Sequence, residues 1–166
     1  DFMNGVDIAT GKLRWRYDTG NWTPSFLGAG DTVYFSSANT QVFALDANTG
    51  ESIWLFDIPE GTFNYLLDAP ILLDGKLYFL TQQGDFFALD ANTGESIWQF
   101  NIPEGTFNYL LDAPILLDGK LYFLTQQGDF FALDASNGNL LWQAATEVST
   151  ARTSPAIGNG WLVIGD

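Results

Sequence analysis

Asp68 and Asp112 stand at matching places in the chain, each directly before an Ala-Pro pair. Carboxylates repeated in this way could line an acidic ring and hold a hydrated cation such as Ca²⁺. Trp22 and Thr153 occupy the corresponding places in two further segments, with Asn64, Tyr65, Asn108, Tyr109 and Arg152 close by. The plainer reading is favoured, in which the two aspartates cap turns and face solvent. Arg152 could equally neutralise one of them. The repeated aromatic residues Phe63, Tyr65, Phe107 and Tyr109 could present a ligand surface, but packing of the loops on the body of the protein is the stronger expectation. Asp74-Gly75, Asp118-Gly119 and Gly84-Asp85 resemble fragments of calcium loops, yet Asp-Gly is also ordinary hairpin chemistry and no EF-hand spacing exists.

Other chemistries are closed off by composition. The chain has no Cys and no His. Thiolate and imidazole metal sites, cysteine nucleophiles and histidine-dependent triads are therefore excluded. With 20 Asp+Glu, some carboxylate pair will always look like a glycosidase site, so pairing alone means nothing here. Six Lys+Arg against those acids give a formal net charge of −14, which repels phosphate backbones and argues against nucleic acid. No apolar run approaches the ~20 residues of a membrane-spanning helix. No signal peptide is evident, and a start at Asp1 is what a mature, trimmed or engineered product would show.

Any site must be held by the repeat that organises the chain. Residues 44–91 and 88–135 are the same sequence at an offset of 44, apart from Leu55/Gln99 and Asp57/Asn101. A signature Asp-x-x-(Thr/Asn)-Gly-x-x-x-Trp occurs four times, at Asp7–Trp15, Asp46–Trp54, Asp90–Trp98 and Asp134–Trp142. Its spacings are 39, 44 and 44, and running off the C-terminus and back in at Asp7 adds another 39. Read as a circle, the chain holds four whole repeats. Within one repeat, residues 69–73, 76–81, 85–89 and 96–101 are short apolar or aromatic runs parted by Asp-Gly, Gln-Gln-Gly and Asn-Thr-Gly turns. Four short antiparallel strands per repeat of this length make a β-propeller blade. The predicted class is all-β. In the signature, Asp and Thr are expected to hold the turn backbone, Gly to supply a positive φ, and Trp to put a flat apolar surface between blades.

The run Ala-Leu-Asp-Ala-Asn-Thr-Gly-Glu-Ser-Ile-Trp at 44–54 and 88–98 resembles the tryptophan-docking repeat of quinoprotein-type propellers. So do Ser154-Pro155-Ala156-Ile157 and the pairs Thr23-Pro24, Ala69-Pro70 and Ala113-Pro114. WD40 blades have a similar period but a Gly-His and Trp-Asp signature that is missing here. The family includes dehydrogenases dependent on pyrroloquinoline quinone and non-enzymatic members such as a bacterial outer-membrane assembly lipoprotein. The resemblance implies a fold, commonly eight-bladed, and an extracytoplasmic (periplasmic or secreted) setting. It carries over no catalytic residue: the vicinal Cys pair of alcohol-oxidising members has no counterpart, and two blades are near copies where a one-sided site needs unlike ones. No enzyme activity and no cofactor are expected, with Ca²⁺ at Asp68 and Asp112 as the single ion considered.

With the family's strand order, residues 1–17 supply the outer two strands of a shared blade and 146–166 its inner two, around whole repeats at about 18–57, 58–101 and 102–145. Each end alone leaves an unpaired strand edge. An eight-bladed homodimer with exchanged ends is expected ahead of a single chain closing into four blades. The function expected is a non-catalytic scaffold that self-assembles by its terminal strands, engineered or recently duplicated, with a loop face open to a protein or peptide partner. Two alternatives are a fragment of a quinone-dependent dehydrogenase and a carbohydrate- or peptide-binding module.

Overall fold

The computed structural model describes residues 1–20, 26–37, 41–59, 70–81, 85–102, 114–125, 128–145 and 156–163. Sixteen β-strands and no helix occur among them. The order is β1 (Phe2–Val6), β2 (Leu13–Asp18), β3 (Phe26–Ala29), β4 (Thr32–Ser37), β5 (Gln41–Asp46), β6 (Ser52–Asp57), β7 (Ile71–Leu73) and β8 (Lys76–Leu80). It continues with β9 (Asp85–Asp90), β10 (Ser96–Asn101), β11 (Ile115–Leu117), β12 (Lys120–Leu124), β13 (Asp129–Asp134), β14 (Leu140–Ala145), β15 (Ala156–Gly158) and β16 (Trp161–Val163).

These strands form three complete blades, β3–β6, β7–β10 and β11–β14, each an antiparallel meander in chain order. The remaining strands form two half-blades, β1–β2 and β15–β16, which are separate two-stranded sheets. The chain is therefore all-β, a run of propeller blades that does not close on itself among the described residues.

A blade is covered on both faces, so its middle strands are buried almost continuously rather than alternately. β9 is the clear case, with Phe86, Phe87, Ala88 and Leu89 all 0–1% exposed. Side chains still alternate between neighbours. Val42 and Ala44 pack toward β7–β10, whereas Phe43 and Leu45 pack toward β1–β2. Register-paired phenylalanines on β4/β5, β8/β9 and β12/β13 stack at 4.8, 5.1 and 5.0 Å. The outer strand of the preceding blade sets one ring edge-on against each stack: Tyr17, Phe56 and Phe100 in turn. Offset and edge-on contacts of this kind suit the aromatic quadrupole.

Turn chemistry fixes the registers. Asp74 and Gly75 both have positive φ, 49° and 73°, as do Asp118 and Gly119, which is the backbone a two-residue type I′ hairpin requires. The outer hairpin of all three complete blades and of β1–β2 carries a bulge just before or beside its Trp. In β6 the bulge leaves Ile53 unpaired between Ser52 and Trp54, turning the indole onto the face that meets the next blade.

Candidate functional site

The loop candidates Trp22, Phe63, Asn64, Tyr65, Asp68, Phe107, Asn108, Tyr109, Asp112, Arg152 and Thr153 lie outside the described residues. Among the described residues, no group of three or more acidic side chains is gathered so as to hold a metal ion. What the structure does place is the repeated signature, and it places it at the joints between blades.

The turn is built first. Asp46 Oδ1 accepts the backbone N–H of Asn48 at 2.7 Å and of Thr49 at 2.9 Å, while Thr49 Oγ1 accepts the N–H of Glu51 at 3.2 Å. Asp90 and Asp7 accept the same two N–H groups of their own turns. At Asp134 the donors are the N–H and hydroxyl of Ser136, and Asn137 Oδ1 takes the N–H of Asn139. These bonds stabilise the ionised carboxylates of Asp7, Asp90 and Asp134. Asp90 is held below the usual range chiefly by the N–H groups of Thr93 and Asn92, and Asp134 chiefly by the Ser136 hydroxyl. The Asp7 carboxyl is lowered to about 2, first by the Arg14 guanidinium, which also forms an ion pair with it, and then by Thr10.

The turns at Asp46, Asp90 and Asp134 each then receive the indole of the blade before. Trp15 Nε1–H donates to the Ala47 carbonyl at 2.8 Å, Trp54 to Ala91 at 3.0 Å and Trp98 to Ala135 at 3.1 Å. The ring lies flat against the signature glycine. A Cβ added to Gly50, Gly94 or Gly138 would sit 2.6 Å from the indole of Trp15, Trp54 or Trp98, far inside van der Waals contact. These glycines do two things that no other residue does: they adopt φ of 74–75° and they leave room for a ring.

A tyrosine completes the joint. Tyr34 and Tyr78 donate their hydroxyls to the same carbonyls, Ala91 at 3.2 Å and Ala135 at 3.1 Å, with ring centroids 5.9 Å from Trp54 and Trp98. Burial, with Asp74 and Asp134 adding negative charge nearby, raises the Tyr78 pKa and keeps its hydroxyl a donor. Sequence reasoning missed this tyrosine and the alanine carbonyl, and it read the glycine for its φ alone. The signal was present, since Tyr34 and Tyr78 hold the same place relative to the signature.

The fourth copy differs. Trp142 is 42% exposed, against 8% for Trp54 and Trp98. At the other end Ile8, which follows Asp7 as Ala47 follows Asp46, is fully exposed. A shallow cavity of about 280 Å³ lies beside it, lined by Val6, Asp7, Ile8, Ala9, Arg14, Ala47 and Asn48.

Fold and joints together define a segment of a β-propeller whose blades are held in sequence by tryptophan, tyrosine and glycine. The chain belongs to the PQQ_2 family, described as outer membrane protein assembly factor BamB, whose model matches residues 3–161. One curated relative, BamB of Salmonella typhimurium, is 27% identical over 75 residues, covering 45% of this chain and 18% of that protein. BamB of Moraxella catarrhalis superposes with a TM-score of 0.74 at 21% identity, over 98% of this chain and 48% of that one. The computationally designed Ika8 protein gives 0.75 at 16%, over 98% and 50%. Quinohemoprotein alcohol dehydrogenase of Comamonas testosteroni gives 0.72 at 18%, over 98% and 36%. The chain thus spans half or less of the length of these proteins, and the structural likenesses carry the fold alone.

Proposed function

We propose that this chain is a non-catalytic propeller scaffold that assembles with a second copy of itself by completing a shared blade, and that it offers a loop face to a protein partner. The observation that carries the reading is the pair of half-blades. In β3–β6 the second strand pairs with the third, so the counterparts β16 and β1 are the edges that would join a blade made of β15, β16, β1 and β2. Open edges of this kind favour strand addition. Membership of a family described as an assembly factor supports a protein partner and an extracytoplasmic setting. Likeness to a dehydrogenase at 18% identity favours no chemistry.

Light scattering coupled to size exclusion tests the assembly. A mass of about twice the 18.3 kDa chain is expected at all but the lowest concentrations. A persistent monomer would reject it. Titration with pyrroloquinoline quinone and Ca²⁺ tests the absence of dehydrogenase chemistry, and dye reduction would reverse that part of the reading.

A further inference from the structure

We propose that Trp142 and Tyr122 seat on the Ile8 carbonyl and over Gly11 of a second copy, repeating between chains the tryptophan–tyrosine joint made twice within one; this rests on the self-assembling reading above. Among the described residues, neither the Trp142 indole N–H nor the Tyr122 hydroxyl donates a hydrogen bond, though both counterparts in each preceding complete blade do. The two rings already hold the working pose. Their centroids are 6.0 Å apart at 48°, against 5.9 Å and 46° for Tyr78 and Trp98. The donor pair is preorganised, so little ordering is left for binding.

The acceptor end is equally formed. Gly11 N–H donates to the Asp7 carbonyl at 2.7 Å, and Gly11 has φ of 68°, as its counterparts do. A Cβ on Gly11 meets nothing within 4 Å, where the other three signature glycines meet an indole. Ile8 is fully exposed where Ala91 and Ala135 are 4% exposed, and Val6 is 53% exposed where Leu45, Leu89 and Leu133 are wholly buried. One end therefore carries a ring pair without a seat, and the other a seat without rings. These are the two halves of one contact, so a second copy supplies what both ends lack. The interface is head-to-tail, and two copies close it as a ring.

The test compares the full chain with Gly11→Asn and with the double variant Tyr122→Phe/Trp142→Phe, by light scattering over a concentration series, with circular dichroism to report folding. Asn tolerates positive φ and the single chain has space there, so the fold should persist while the seat is blocked. Expected are a dimer for the unaltered chain, a folded monomer for Gly11→Asn, and association weakened about tenfold or more for the double variant, which keeps an aromatic ring at each place but loses both donors. Should Gly11→Asn fail to fold, the double variant decides. A folded variant that dimerises as tightly as the unaltered chain overturns this contact and leaves the self-assembling reading standing. An unaltered chain that stays monomeric at every concentration overturns both.

Discussion

The indole N–H of Trp54 and the hydroxyl of Tyr34 converge on one buried acceptor, the carbonyl oxygen of Ala91 in the next blade, at 3.0 and 3.2 Å. That carbonyl has two lone pairs, and losing one donor leaves the other in place. Tyr34→Phe and Trp54→Phe should each cost about 1 kcal/mol through the lost bond, with some added packing loss at the smaller ring. The double variant leaves a buried carbonyl bare and should cost more than the two combined, by roughly 1 kcal/mol. Urea unfolding of the four proteins measures the coupling. Additive effects would mean that the two donors do not share the acceptor.

Gly94 and Gly11 have nearly the same backbone, φ of 74° and 68°, but only Gly94 has an indole against it. Alanine at either site strains the left-handed backbone by about 1–2 kcal/mol. At Gly94 the added methyl must also displace the Trp54 ring, 2.6 Å away, from a packed joint. Gly94→Ala should therefore destabilise by at least ~2 kcal/mol more than Gly11→Ala, measured at concentrations low enough to keep chains apart. Equal losses at the two sites would place the whole cost in the backbone.

The repeat made the blade order readable, because identical copies fix strands relative to one signature. The predicted outer strand 96–101 coincides with β10 (Ser96–Asn101). Strand ends were read less well where side chains or prolines withdraw the backbone from the ladder. The expected 69–73 begins only at Ile71, after Pro70, which has no N–H to give. Within the expected 1–17 pair, the first strand stops at Val6, because the Asp7 carboxylate takes the N–H groups of Ala9 and Thr10 into the turn. The bulge at each Trp arises from cross-strand register, which a linear period does not encode, and the tyrosine's fixed place in the repeat does not say which carbonyl it meets in the next blade. The loop candidates rested on their place before the Ala-Pro, Thr-Pro and Ser-Pro pairs alone and lie outside the described residues.

The depressed turn carboxylates predict the acid limb of stability. For Asp7, Asp90 and Asp134 the folded pKa lies below the unfolded value of 3.8, so the unfolded chain binds more protons in acid. Their contribution is fully present above the unfolded value and is lost as pH falls, through about 2 for Asp7. Asp85 is shifted the other way by burial, with the Thr81 hydroxyl partly opposing it. Its contribution is present below 3.8 and lost as pH rises through its raised folded value. Thermal unfolding should show a melting temperature that drops below pH 4 (approximately the unfolded carboxylate range). Asp7→Asn, which can still cap the turn, should shallow that drop. An unchanged acid limb in Asp7→Asn would show that the Arg14 contact contributes nothing to folding.

Ser36 is a polar residue in the wrong company. It is 1% exposed, and its Oγ finds no hydrogen-bond partner among the described residues. It stands two residues beyond Tyr34 on β4, as Leu80 and Leu124 stand two beyond Tyr78 and Tyr122, and those leucines are 5% and 3% exposed. The site is thus an apolar seam of the blade carrying an unpaid hydroxyl, and an unsatisfied buried hydroxyl costs about 1–3 kcal/mol of desolvation. Removing it exposes no new partner and leaves only a small void. Ser36→Ala should stabilise the chain by about 0.5–1.5 kcal/mol, a rise of a few degrees in melting temperature for a domain of this size. Ser36→Thr should not, since the added methyl must fit the packed seam while the hydroxyl stays bare. A destabilised Ser36→Ala, measured by urea and heat alike, would mean that the hydroxyl does hold a partner in solution and that this seam is polar by need.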